Sequence, residues 1–254
     1  MLFATWNVNS VRARLPRLLA WLESRRPDVV CLQETKCLDE QFPSEPIEEL
    51  GYSIAHFGQK TYNGVALLAR RGLEDVRRGF PGDRGEARFI AAQCEDWLVA
   101  SVYVVNGQEV GADKYAFKLD FMERLRQHLA ERFDPAEKLL LGGDFNVTFD
   151  DRDVYDPELW REKILCSSAE RRALAGLVEV GLADALRQLD PRPGIYTWWD
   201  FRTRGFQRGQ GLRIDHVLAS APALARAREV EVDLEERRQD KPSDHAPLLL
   251  RLED

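Results

Sequence analysis

The chain has 254 residues, 36 Lys and Arg against 43 Asp and Glu, a formal net charge of −7 and a hydrophobic fraction of 44%. That length supports one sizeable core in a single domain over 1–254, 12 Phe and 6 Trp exclude a disordered chain, and no apolar run nears the roughly 20 residues that span a bilayer. A net negative charge also excludes a surface that is uniformly a polyanion receptor, so any nucleic-acid contact must rest on local positive potential.

Taken in chain order, MLFATWNVNS runs straight into a strand at 2–6, without the basic and long apolar regions of an export signal. Leu15, Leu18, Leu19 and Leu22 fall at helical spacing, and DVVCLQ (28–33) and GVALLA (64–69) predict buried strands. WLVASVYVV (97–105) predicts another, and the stretch 52–105 gives strand after strand. Tyr115, Leu119, Met122, Leu125 and Leu129 predict a second helix, KLLLGG (138–143) a strand, and Leu174, Leu177 and Val178 a third helix. RIDHVLA (213–219) and APLLLRL (246–252) complete the strands. Packed sheets flanked by helices fit this order better than a simple doubly wound sheet. Cys31, Cys37, Cys94 and Cys166 form no Cys-x-x-Cys, which predicts idle thiols in a reducing, cytoplasmic setting and neither a disulfide frame nor a zinc site.

Arginines cluster at 12, 14 and 17, again from Arg70 to Arg88, and at Arg202, Arg204, Arg208 and Arg213, where no acid intervenes. Trp198, Trp199, Phe201 and Phe206 interleave with the last group, a mixture suited to sugar or base contact and backbone steering. A solvated surface of mixed charge is the plainer explanation of the same pattern.

Polar residues stand at the ends of the predicted strands: Asn7 after LFATW, Glu34 after DVVCLQ, Asp144 and Asn146 after KLLLGG, Asp215 within RIDHVL, and Asp244-His245 before APLLLRL. Any one of them is ordinary turn chemistry, but several together predict a shared mouth at the rim of a core. Asn7 and Glu34 offer hard oxygen ligands suited to Mg²⁺ or Mn²⁺ with substrate phosphate completing the shell. Asp144 and Asn146, two apart on an extended segment, would face one water or phosphate oxygen, and Asp215 would fix the tautomer of His245. No Ser or Cys stands in a nucleophile motif, so water is the expected attacker.

TWNVNSVRAR, LQETK, GVALL, RRGFPGD, GDFNV, GLRIDHVLAS and KPSDHAPL together resemble the exonuclease III family of abasic-site endonucleases, within the endonuclease/exonuclease/phosphatase superfamily. The resemblance covers nearly the whole chain, from about Leu2 to Leu252. It implies a four-layer α/β sandwich, two mixed β-sheets face to face with helices outside. It implies a DNA-repair hydrolase that cuts the phosphodiester 5′ to an abasic site in duplex DNA and leaves a 3′-hydroxyl, with 3′-to-5′ exonuclease and 3′-phosphatase activity. Mg²⁺ would be the cofactor, with Mn²⁺ able to substitute, and the partner double-stranded DNA with abasic sites or 3′ ends, bound by a monomer away from any membrane.

By the same resemblance Asn7, Glu34, Asp144, Asn146, Asp244 and His245 belong to the metal side of the site. Tyr103, Asp144, Asn146, Asp215 and His245 belong to the catalytic set, and Asn7, Tyr103, Asn146 and His245 contact the phosphate. Trp198, Leu212 and Ile214 match the lining of an abasic-sugar pocket, with Leu212 where some relatives carry Trp. A phosphoesterase for a small phosphorylated substrate and a non-catalytic RNA-binding regulator are the alternatives, the second disfavoured by intact GDFN and SDH motifs.

Overall fold

The computed structural model describes residues 1–253. Its strands, in chain order, are β1 Leu2–Asn7, β2 Val29–Gln33, β3 Ser53–Phe57, β4 Val65–Ala69, β5 Glu74–Arg78, β6 Phe89–Cys94, β7 Trp97–Tyr103, β8 Lys138–Asp144, β9 Leu182–Asp184, β10 Asp215–Ser220, β11 Ala227–Val232 and β12 Leu248–Leu252. They form two six-stranded sheets, β11-β12-β1-β2-β4-β3 and β5-β6-β7-β8-β10-β9. Each sheet is mixed, with one parallel pair at its centre, β1 with β2 and β7 with β8, among antiparallel neighbours.

Strand parity decides which side chains meet between the sheets. Phe3, Val29, Cys31, Val65 and Leu67 of one sheet share a buried cluster with Val99, Leu140, Val217 and Ala219 of the other. The alternate positions face outward and take a helix. Ala4, Trp6, Val30 and Leu32 pack on Leu18, Trp21 and Leu22 of helix Val11–Arg25. Val102, Leu139 and Leu141 pack on helices Asp113–Arg132 and Ser168–Glu179 through Phe121, Leu125, Leu174 and Leu177. The result is the four-layer sandwich expected, and the three long helices lie where the spacing of leucines placed them. The short helices, and the polar edge strand β5 with its exposed Glu74, Asp75, Arg77 and Arg78, carried no such periodicity.

The double glycine just before the end of β8 is required by close approach. A Cβ on Gly142 would lie 3.0 Å from Phe3 and Thr5 of the facing sheet, and one on Gly143 would lie 2.1 Å from the Val102 carbonyl oxygen. Both sheets therefore come together tightly just below Asp144. All four cysteines are free and buried.

Candidate active site

The same parity that builds the core builds the site. Asn7 continues the inward-facing row of Phe3 and Thr5, Tyr103 that of Val99 and Ser101, Asp144 that of Leu140 and Gly142, and Asp215 that of Val217 and Ala219. Register then sets them side by side: Asp144 pairs with Tyr103 on one flank and with Asp215 on the other. Below this rim a buried polar layer separates site from core, in which Gln33 donates to Ser101 at 2.9 Å and to Thr5 at 3.0 Å.

Asn7 is the hinge of the arrangement. Its amide nitrogen donates to Glu34 at 2.8 Å and to Asp144 at 2.9 Å, holding two carboxylates from different sheets against one side chain. Asp144 Oδ1 accepts the Asn146 backbone N–H at 2.8 Å, and the Asn146 side-chain amide reaches Asp144 Oδ2 at 3.2 Å. These two residues converge as expected, but not on an extended segment: Asn146 sits at φ 51, so a left-handed turn brings it round. Glu34 (φ 52), Lys36 (φ 54), Asn9 (φ 45) and Ser10 (φ 85) are also left-handed, which concentrates backbone strain in the loops of this rim.

His245 Nδ1 lies 2.8 Å from Asp215 Oδ2, and its Nε2 lies 3.8 Å from Asp144 Oδ2. Burial opposes the imidazolium, but Asp215 and Asp144 outweigh it and push the pKa up to about 10, so His245 is charged at neutral pH. Burial, reinforced by Asp215 and Glu34 although countered by His245, raises Asp144 to about 7. Asp215 Oδ1 is buried and has no hydrogen-bond partner among the described residues. The Tyr103 phenol is raised well above its ordinary value by burial and then by Glu34 and Asp144.

Several supporting residues were absent from the sequence reading. Lys36 bridges Glu34 at 2.7 Å and Asn9 at 2.6 Å; Thr197 Oγ1 accepts the backbone N–H groups of Ile214 and Asp215; Ser243 donates to the Asn7 carbonyl at 2.7 Å. Lys118, fully buried against Glu170, donates to the Asn146 carbonyl at 2.6 Å and so fixes the turn after Asp144. A lysine spaced among apolar helix positions gives no sequence signal of that role.

The ligand atoms of Glu34, Asp144 and His245 lie within 4.8 Å of one another. The donors among them that suit a hard cation are the carboxylates of Glu34 and Asp144, with the Asn7 amide beside them. Their crowding, and the orphaned Asp215 oxygen, leave this pocket short of positive charge, which is the condition a divalent ion satisfies. Asp244 stands apart: both its oxygens are occupied, Oδ1 by Asn9 at 2.9 Å and Oδ2 by the Trp198 indole N–H at 3.0 Å.

Trp198 is half-buried over an apolar cluster in which Leu212 and Ile214 are fully buried, so of these three residues only Trp198 offers surface. The basic stretch around it is corrected in part. Arg213 is not on the surface at all: it is completely buried among Asp153, Asp184 and His216, and Arg202 is paired with Asp200 at 2.8 Å. In the early arginine group, Arg17 is held by Glu236 at 2.8 Å.

Two carboxylates bridged by an asparagine thus stand beside an Asp-His pair at the open end of a two-sheet sandwich. The sequence pattern of the Endonuclease/Exonuclease/phosphatase family fits residues 4–245. The chain belongs to this family. Within it the chain is 37% identical over 262 aligned residues to exodeoxyribonuclease III of Haemophilus influenzae, covering 98% of both chains. It superposes with a TM-score of 0.97 on the 3′ phosphatase NExo from Neisseria bound to a product DNA hairpin, at 41% identity over all of both chains. An AP endonuclease from Archaeoglobus fulgidus gives a TM-score of 0.97 at 35% identity, again over all of both chains. These similarities place the chain in the exodeoxyribonuclease III branch of the Endonuclease/Exonuclease/phosphatase family.

Proposed function

We propose that this member of the family is a metal-dependent DNA-repair nuclease: it hydrolyses the phosphodiester 5′ to an abasic site in duplex DNA, leaves a 3′-hydroxyl, and trims 3′ ends as exonuclease and phosphatase. The observation that carries this reading is the Asn7 bridge between Glu34 and Asp144 facing a charged His245. An acceptor-rich half and a donor-rich half thus oppose each other across one small space, as hydrolysis of a phosphodiester by water requires. Mg²⁺, with Mn²⁺ able to substitute, would be held by Glu34 and Asp144 and would supply charge stabilisation at the phosphoryl oxygens.

The chain's own residues do the rest. Asp144, held by Asn7 and Asn146, orients the attacking water and accepts its proton. His245 presents Nε2–H to a phosphoryl oxygen because Asp215 holds the opposite nitrogen. Asn7 fixes the carboxylates, and the Tyr103 phenol, kept neutral, donates to the phosphate. Trp198 packs on the deoxyribose that lacks its base, with Leu212 and Ile214 behind it. The four buried free thiols suit a reducing cytoplasm, where we place it as a monomer. No helix among the described residues is long and apolar enough to cross a membrane.

One gel assay tests this reading: a duplex carrying a central abasic analogue and a recessed 3′ end, with Mg²⁺ or with chelator. Incision 5′ to the analogue and shortening of the 3′ end, both only with metal, are expected. An inert duplex alongside turnover of a small phosphomonoester would overturn the reading, as would cutting undiminished by chelator.

A further inference from the structure

Arg237, at the end of the short helix Leu234–Arg237, is only 5% exposed, yet its guanidinium makes no hydrogen bond or ion pair with any described residue, and its Nε is buried without a partner. It is held instead by rings: Phe206 at 4.8 Å, Phe201 at 4.9 Å and Trp199 at 6.0 Å from the guanidinium carbon. A buried Nε–H without an acceptor is costly, and burial, opposed in part by Asp244, pulls the pKa of the guanidinium below the ordinary value. The contrast with Arg213 is direct, since that completely buried side chain spends all five N–H donors on Asp153, Asp184 and His216.

Arg237 opens on a cavity of about 490 Å³ whose walls include Phe201, Arg204, Arg238 and Lys241, with Asp240 the sole carboxylate lining it. Phe201 is 43% exposed. The cavity adjoins the candidate active site through the chain on both sides: Trp198 binds Asp244 with its indole while Trp199 donates its backbone N–H to the Asp244 carbonyl at 3.1 Å and turns its ring into the cage.

We propose that this cavity is a phosphate subsite, in which Arg237 takes a backbone phosphate of the bound DNA away from the scissile linkage. The proposal rests on the nuclease reading above. A planar guanidinium with free donors matches two phosphate oxygens, Lys241, Arg204 and Arg238 supply the surrounding positive potential, and Phe201 gives the adjoining sugar or base an apolar face.

The test is equilibrium binding of a labelled abasic-analogue duplex in chelator, with single uncharged methylphosphonate linkages walked along both strands, for the wild type and for Arg237→Met, which fills the cage without charge. In the wild type one linkage outside the cleavage site should weaken binding about tenfold when neutralised. In Arg237→Met that linkage should become silent, every other linkage should keep its effect, and the salt slope should fall by about one. Identical profiles for the two proteins would overturn the proposal, because a residue that merely rivets the aromatic rings would shift all linkages together. If Arg237→Met fails to fold, Arg237→Lys carries the test: the same linkage should stay sensitive at reduced size, and a profile equal to wild type throughout overturns the proposal. Competition by a free deoxynucleoside monophosphate that depends on Arg237, with no linkage depending on it, assigns the cavity to a released nucleotide and also overturns it. A protein that binds no duplex fails the nuclease reading itself, whereas one that cuts normally with no Arg237-dependent linkage fails only this inference.

Discussion

Two buried ionic clusters, around Arg213 and around Asp215 at the start of β10, lie two residues apart in the chain and behave oppositely. Arg213 is enclosed by Asp153 and Asp184, with His216 accepting its fifth N–H and donating in turn toward the Val147 carbonyl at 2.7 Å. Burial alone would raise Asp153, but Arg213 overrides it and holds the carboxyl down at about 2. Around Asp215 and Asp144 the carboxylates instead crowd one another, Asp144 rises to about 7, and an Asp215 oxygen goes without a partner among the described residues. A cluster whose charges and donors close on themselves anchors the strand, and one left with surplus negative charge is where a cation and a phosphate bring the balance.

The largest effect that separates them is on turnover. Asp144→Asn and His245→Ala should each lower cleavage by at least about 10³-fold while duplex binding persists; the melting temperature should hold or rise in Asp144→Asn, which relieves charge crowding, and fall in His245→Ala, which strands Asp215 and Asp144. Near-normal turnover in both would dissolve the distinction. Arg213→Met should do the reverse, costing about 3–5 kcal/mol by stranding Asp153 and Asp184, and Arg213→Lys should recover little because three donors cannot replace a five-donor fork. A denaturant melt reads this directly, and a variant as stable as wild type would show that the network is not the anchor.

The anchoring cluster also predicts a pH dependence. Burial and then Arg213 lower His216 to about 4, so it is neutral in the fold. Between about 6.5 and 4 the unfolded chain takes up a proton that the folded chain refuses, and stability therefore falls as pH drops through that window, by on the order of 3 kcal/mol at full extent. His56, lowered to about 4 chiefly by burial, acts in the same direction. Melts of wild type and His216→Gln from pH 7 to 4 should show the variant losing less, and parallel curves would remove His216 from the account. Smaller again is Trp198→Ala, for which the ratio of kcat/KM on abasic and intact duplexes should fall about tenfold, since a void admits part of a base. An unchanged ratio with a lowered melting temperature would make Trp198 a packing residue.

The strands and the residues at their ends were legible because period 2 and β-branched runs reveal a buried strand, and a polar residue ending it stands out against them. LFATW then Asn7, and KLLLGG then Asp144, are of this kind. Arg213 misled for the converse reason: composition sees a charge, not the Asp153 and Asp184 that arrive from segments 60 and 29 residues away. Lys118 and Arg237 were invisible in the same way, since pairing or its absence is a property of the folded chain. The left-handed turn at Asn146 also escaped, although asparagine is among the residues that tolerate it.

The central claim is that Glu34 and Asp144 form an anionic pocket completed by a divalent cation, and the most direct measurement of it is thermal melting with Mn²⁺, free of any activity readout. At a hundred times its Kd the ion should stabilise the wild type by about 2.7 kcal/mol, and leave Glu34→Gln and Asp144→Asn much less affected. Equal shifts in all three proteins, or no shift in the wild type at concentrations that support cleavage, would contradict the account.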